Sequence, residues 1–338
     1  MTNKANWVFF GSSEFSVYVL DELKIHNILP SLIVTTLDKP KGRKLVLTPT
    51  PVKIWAQENK IEILDPISLK NNVDLISKLQ AASYDLFLVA SYGKIIPKEI
   101  FEIPKHKTLN IHPSLLPKYR GASPIQSQIL NDEKEVGVTI MQIEETMDTG
   151  PVVVQTSPLT PLPPLRQGYA GRVDAGEGKH TSHSDNSNVP LPSPAPRGRA
   201  GDEVMSRKEL EKFLAIEGAQ LFAHILPEWM QGAIDPIMQD ESKATYCKKV
   251  EKEDGELQID LNDLGKNARQ NLLKIKAFEE WPTAYFFLDT PKQSGGGSEQ
   301  KRIIITDATT ENNELKILRV IPEGKRAMSF DDFLRGQK

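Results

Sequence analysis

One cysteine, Cys247, is all the chain contains, so an intramolecular disulfide framework is excluded and a reducing compartment is expected. No electropositive setting surrounds that thiol in the sequence, which marks it as a small packing residue rather than a nucleophile. No apolar run is long enough to cross a bilayer, and Met1–Asn6 passes into a strand pattern without the features of a signal peptide. A cytoplasmic location without a membrane partner is expected. Surplus charge is missing too. The 42 Lys and Arg residues against 45 Asp and Glu leave a formal charge of −3, so any nucleic acid would have to be met by a local patch. Common catalytic signatures are also absent: there is no G-x-S-x-G elbow, no P-loop and no H-E-x-x-H. G-S-S-E-F after the first strand has one of the three glycines of a dinucleotide fingerprint, and Gly11 is read as a tight turn. His180-x-x-His183 has no companion Cys or carboxylate at ligand spacing, so no metal is expected.

What is present describes an ordinary globular chain of 338 residues, 39% hydrophobic and 26% charged, with room for two domains. Strand patterns at 7–10, 31–36, 61–64, 84–90, 108–112, 137–143 and 151–155 alternate with helical ones. The first helix carries Phe15, Val19, Leu20 and Leu23 on one face. Others are expected from Val52 to Lys60, from Ser68 to Gln80 with Val73, Ile76 and Leu79 inward, and from Ala122 to Leu130. The alternation predicts α/β architecture: an open, mostly parallel, Rossmann-like sheet with helices on both faces. Between them, residues 38–53 are basic and broken by Pro and Gly, which predicts a mobile surface loop. Lys39, Lys41, Arg43 and Lys44 concentrate four positive charges in six positions, either as a solvated run or as a contact for phosphates.

Residues 157–202 break the pattern. They hold eight of the 24 prolines, with Gly, Ser and Asn, and are read as a disordered insert. Order is expected to return at the capping box Ser206-Arg207-Lys208-Glu209, opening a helix that buries Leu210, Phe213, Leu214, Leu221 and Ile225 and ends near Pro227. Residues 231–243 are read as a linker. After Ala244 the chain changes to short strands, Pro282–Leu288, Arg302–Thr309 and Leu315–Ile321, around one helix from Leu264 to Ala277, which predicts a small OB-like β-barrel. The Ser294–Ser298 stretch is read as a loose hairpin tip.

Chemistry concentrates in T-L-N-I-H-P-S-L-L-P-K-Y-R-G, residues 108–121. A period of two puts Asn110 and His112 on one face of a strand, with Leu109 and Ile111 on the other. An amide and an imidazole at a strand's end suit a polarised carbonyl and its oxyanion. Downstream, Met147-Asp148-Thr149-Gly150 supplies a carboxylate near the end of the next strand.

N-I-H-P-S-L-L-P with a later D-T-G resembles the folate-dependent formyltransferases. The longer S-L-L-P-K-Y-R-G-A-S-P-I-Q, G-V-T-I-M-Q, A-F-E-E-W-P-T-A and P-E-G-K-R-A-M-S-F-D-D-F-L resemble the branch acting on methionyl-tRNA. The resemblance implies catalysis by Asn110, His112 and Asp148, the last either orienting His112 or accepting a proton. It implies a 10-formyltetrahydrofolate pocket at Tyr92, Gly93, Lys94, Ile95, Ile96 and Pro97 with Ser114, Leu115, Leu116 and Pro117. It implies contacts to initiator methionyl-tRNA through the loop of Lys39, Lys41, Arg43 and Lys44, where Arg43 matches the family's arginine by position, while Lys248, Lys249, Lys325 and Arg326 are read as candidate backbone contacts or as ordinary surface residues. The implied organisation is a catalytic domain over 1–230, interrupted at 157–202, then the 231–243 linker and a tRNA-binding barrel over 244–338, acting as a monomer. Amino-sugar nucleotide or glycinamide-ribonucleotide formyltransferases, or a non-catalytic folate- or RNA-binding homologue, are the competing readings.

Overall fold

The computed structural model describes residues 5–41, 45–158, 204–291 and 298–336. The chain opens with β1 (Trp7–Gly11), α1 (Glu14–Ile25), β2 (Leu32–Val34), β3 (Lys39–Lys41) and β4 (Val46–Thr48). There follow α2 (Pro51–Glu58), β5 (Glu62–Leu64), α3 (Val73–Ala81), β6 (Leu86–Ala90) and α4 (Lys98–Phe101). Then come β7 (Thr108–His112), β8 (Arg120–Gly121), α5 (Pro124–Leu130), β9 (Thr139–Gln142), β10 (Val152–Gln155) and α6 (Arg207–Met230). The remainder is β11 (Tyr246–Cys247), α7 (Ala268–Ala277), β12 (Ala284–Pro291), β13 (Ser298–Glu311), β14 (Glu314–Pro322), β15 (Met328–Ser329) and α8 (Phe330–Arg335).

Seven strands form one sheet in the order β10-β9-β7-β6-β1-β2-β5. The five from β7 to β5 are parallel, while at one edge β9 runs antiparallel to both of its neighbours, β7 and β10. This is the mostly parallel, Rossmann-like sheet expected. Its central strands β1 and β6 are buried at every position, as a two-sided parallel sheet requires. Each face has its own core. Trp7, Phe9, Leu88, Leu109 and Ile111 pack with α1, α2, α5 and α6, while Val8, Phe10, Phe87 and Val89 pack with α3 and α4. Asn110 and His112, alternating with Leu109 and Ile111, fall on the α3/α4 side. The back of that strand is tightly braced: a Cβ at Gly218 of α6 would stand 2.5 Å from Ile111 Cγ2.

Three local expectations are corrected. Residues 38–53 are not a plain loop. β3 and β4 pair as an antiparallel hairpin, and α2 begins at Pro51 because Thr50 caps it and proline is favoured at a first helical position. Helix α3 starts at Val73, not Ser68, with Asn72 as N-cap. Val73 is therefore solvent-facing at 71% exposure, and Leu75 takes the inner place beside Leu79. Helix α6 opens with the expected capping box but continues through Pro227 to Met230. The extension docks Trp229, which is buried and donates from Nε1 to the His106 carbonyl at 2.9 Å.

The C-terminal part forms an antiparallel sheet in the order β12-β13-β14-β15, with α7 and α8 against a core containing Leu257, Leu272, Phe286, Ile305, Val320 and Phe330. This agrees with the small barrel expected from the short strands. The insert expected at 157–202, with His180 and His183, lies outside the described residues beyond position 158, as do 294–297 of the expected hairpin tip. Among the described residues no helix is long and apolar enough to cross a membrane.

Candidate active site

Parallel strands β2, β1, β6 and β7 all end at one edge of the sheet, and the segments singled out by sequence leave from that edge. Asn110 is half-buried and pairs with Val89 of β6, while His112, 4% exposed, closes β7. The His112 ring is tied by Nε2 to the Tyr119 carbonyl at 3.0 Å. A carbonyl only accepts, so that nitrogen carries the proton and Nδ1 is left facing Asp148. Nδ1 stands 3.7 Å from Asp148 Oδ1, beyond hydrogen-bond range but within reach of a charge interaction. The other carboxylate oxygen, Oδ2, accepts from the Gly121 N–H at 2.8 Å.

Asp148 does not sit at a strand's end. It occupies the loop between β9 and β10, in a left-handed conformation with φ of 57°. Gln142 pairs with Leu109 and Thr139 with His112, so β9 leaves the sheet at the end where β7 enters. The loop must fold back to bring the carboxylate to the imidazole. Gly150 permits this: a Cβ there would lie 1.9 Å from the Gln142 carbonyl oxygen.

The Ser91–Pro97 segment leaves β6 through two left-handed residues, Ser91 and Gly93. Its Tyr92 ring turns inward onto Phe10, with centroids 5.6 Å apart. Burial pushes the Tyr92 phenol up to about 12. Lys94 Nζ donates to the Pro66 and Ile67 carbonyls, Ile95 is exposed, Ile96 is buried and Pro97 precedes α4.

After β7, Ser114 Oγ donates to the Lys118 carbonyl at 2.7 Å, and Leu115, Leu116 and Pro117 follow, with the Leu116–Pro117 bond cis. Buried Thr139 pins that loop. Its hydroxyl donates to the Ser114 carbonyl (2.7 Å) and accepts from the Leu116 N–H (3.0 Å) and Gln155 Nε2 (2.6 Å). One donor and two lone pairs are all in use. Thr139→Val should cost about 3 kcal/mol, since the buried Ser114 carbonyl and Leu116 N–H lose their match at once and the Gln155 amide loses one of its two acceptors. Urea unfolding measures this, and a loss under about 1 kcal/mol would show that the loop is held elsewhere.

The basic hairpin is rooted at the same edge, through Thr35 Oγ1 to Thr50 Oγ1 at 2.8 Å and Ser12 Oγ to Thr35 Oγ1 at 3.3 Å. Lys39 is exposed on β3 and Lys41 ends that strand, while Arg43 and Lys44 lie outside the described residues. Lys248 and Lys249 are exposed and directly follow β11, the strand paired with β8 at the site. Lys248 is ion-paired to Asp254 at 2.8 Å. Lys325 and Arg326 are exposed in the turn between β14 and β15, on the other sheet. Cys247 packs its Sγ 3.1 Å from the Arg120 carbonyl, and burial pushes its thiol up, as fits a packing residue. Among the described residues no cluster of His, Cys, Asp or Glu could hold a metal ion.

Sequence reasoning missed the supports. Tyr119, through its carbonyl, and Arg120 lie within the quoted K-Y-R-G but carried no assigned role. The segment read as a plain linker sends Gln239 onto the Asp148 loop, with bonds from Nε2 to the Asp148 and Gly150 carbonyls at 2.9 and 2.7 Å. Nothing local in a polar segment marks such a residue.

Residues 5–160 match the formyl transferase family model. A methionyl-tRNA formyltransferase from Dictyoglomus thermophilum is 33% identical over 350 residues, covering 98% of this chain and 96% of the relative. Among solved structures, a methionyl-tRNA formyltransferase from Clostridium thermocellum superposes with a TM-score of 0.50 at 16% identity, over 96% of this chain and 99% of that one. A sugar N-formyltransferase from Shewanella sp. FDAARGOS_354 gives 0.53 at 15% identity, over 88% and 96%. At those identities the solved structures speak for the fold, and the sequence relative separates the branches.

Proposed function

The chain belongs to the methionyl-tRNA formyltransferases, and on that premise we propose that Asn110, His112 and Asp148 carry its chemistry. It transfers a formyl group to the α-amino group of methionyl initiator tRNA. We infer 10-formyltetrahydrofolate as the donor, held between the Tyr92–Pro97 and Ser114–Pro117 segments at neighbouring strand ends.

The neutral amine attacks the formyl carbon, forming a C–N bond and an oxyanion. The C–N10 bond then breaks, N10 takes a proton and tetrahydrofolate leaves, while the amine sheds a proton. Asn110 donates an amide N–H to the oxyanion. His112, with Nε2 committed to Tyr119, works through Nδ1: protonated there, it donates to the oxyanion and then to N10. The observation that carries the reading is the 3.7 Å approach of Nδ1 to Asp148 Oδ1. It is too long to orient the ring, a task the Tyr119 carbonyl already performs. Oδ2 is held by Gly121, so Oδ1 remains to balance the imidazolium and accept the amine proton.

Basic residues Lys39, Lys41, Arg43 and Lys44 from one side, and Lys248, Lys249, Lys325 and Arg326 from the other, would meet the tRNA backbone. The working unit is a cytoplasmic monomer with a catalytic domain over 1–230, a 231–243 linker and a tRNA-binding domain over 244–338. In support, the site is completed by this chain's own linker. The test offers 10-formyltetrahydrofolate with charged initiator tRNA, glycinamide ribonucleotide or an amino-sugar nucleotide. Tetrahydrofolate release with the tRNA alone is expected. Release with another acceptor, or none at all, overturns the reading.

A further inference from the structure

Arg120 is a charged side chain with no solvent exposure, and its guanidinium is fully engaged. Nε and Nη2 both donate to Gln239 Oε1, at 3.0 and 2.8 Å. Nη1 and Nη2 reach the two oxygens of Glu241, at 2.8 and 2.7 Å, and Nη1 also donates to the Tyr246 hydroxyl at 3.2 Å. Five donors make five bonds. Two of them converge on one oxygen of Gln239, so the amide cannot be turned over without aiming N–H groups at a cation. Its Nε2 must face the other way, where its two hydrogens meet the carbonyls of Asp148 and Gly150. Arg120 also lies in β8, whose next residue, Gly121, holds the Asp148 carboxylate through its N–H. β8 in turn is paired with β11 of the chain entering the C-terminal part. The carbonyl of Asp148, that of Gly150 two residues on, and one Asp148 carboxylate oxygen are thus held through residues clamped between β8 and the 239–247 segment.

We propose that Gln239, its amide polarised and oriented by Arg120, is a positioning residue for Asp148, so that the segment joining the two halves sets where the carboxylate stands. This rests on the reading of Asp148 as a catalytic group. The physical reason for such a device is the loop itself. Asp148 sits in a left-handed conformation, far along an excursion from β9, and among the described residues its Oδ1 has no hydrogen bond that would fix it. A misplacement of about 1 Å at such a group is worth about 10²-fold in rate.

Gln239→Glu tests this sharply. The new carboxylate keeps, and strengthens, the acceptor role toward Arg120, but it has no N–H for the Asp148 and Gly150 carbonyls. In the full-length enzyme the expected result is a ~10- to 100-fold fall in kcat, with KM for both substrates unchanged. In an Asp148→Asn background the same change should add nothing further, because the group it positions is gone. Arg120→Lys, which leaves the amide free to turn, should lower kcat in the same way if it folds. An unchanged kcat in Gln239→Glu overturns the proposal. So does a fall of kcat and Tm together that repeats in full in the Asp148→Asn background, since that is loss of structure alone. Full activity of Asp148→Asn by itself would instead refute the catalytic reading underneath, and a kcat fall in Gln239→Glu would then have to act through another group.

Discussion

Asn110→Ala and His112→Ala should each lower kcat/KM by ~10²–10³ while leaving a folded protein. The rate loss corresponds to about 2.7–4 kcal/mol of transition-state stabilisation, the usual effect of removing one donor from a developing oxyanion. The fold should persist because β7 is anchored by the residues that alternate with them. Leu109 and Ile111 are fully enclosed in the core shared with α1 and α6, and the ladder to β6 and β9 is made by main chain. Asn110 is half-buried at the open edge, so its truncation leaves no sealed cavity. His112→Ala removes the bond to the Tyr119 carbonyl, which still has the weak Cys247 Sγ contact at 3.5 Å. Steady-state kinetics with charged tRNA, alongside a thermal melt, provides the check. Near-normal kcat/KM in both folded variants would remove the amide and imidazole from the mechanism.

The second large effect is expected from a methyl group. Gly150→Ala places a Cβ 1.9 Å from the Gln142 carbonyl oxygen. That oxygen belongs to a main chain held by the β7 ladder and cannot step aside, so the loop carrying Asp148, two residues away, must move. A shift of about 1 Å predicts a kcat lower by ~10², with about 2–3 kcal/mol of stability lost to strain. Gly232→Ala is the control. Gly232, unlike Gly150, has a left-handed backbone, with φ of 69°, and nothing lies within 4 Å of the added carbon. Its cost should be about 1–2 kcal/mol, from conformation alone, with kcat unchanged. If Gly150→Ala behaved like Gly232→Ala, the close approach to Gln142 would not control the site.

Much of this was readable without coordinates wherever the information is local. The N-I-H alternation sorts Leu109 and Ile111 from Asn110 and His112 because side chains on a strand alternate faces. Ser206 and Glu209 announce α6 because a capping box is closed within one turn. The continuous apolar run 86–90 declares a strand buried on both sides. The misreadings share a cause. Pro and Gly between 38 and 53 suggested a loop, yet the β3–β4 ladder is satisfied across the hairpin. Pro227 suggested a stop, yet burial of Trp229 outweighs one missing helical hydrogen bond.

By itself the sequence determined the α/β order of elements and the branch of chemistry, and it singled out an amide, an imidazole and a carboxylate as candidates, because each is written in neighbouring residues. Only the tertiary structure decided how His112 and Asp148 meet. His112 is aimed by a carbonyl seven residues on, and Asp148 is held by Gly121 and by Gln239, 91 residues beyond it, itself set by an arginine 119 residues earlier. A hydrogen bond depends on which groups the folded chain brings within about 3 Å, and no periodicity along the sequence encodes that.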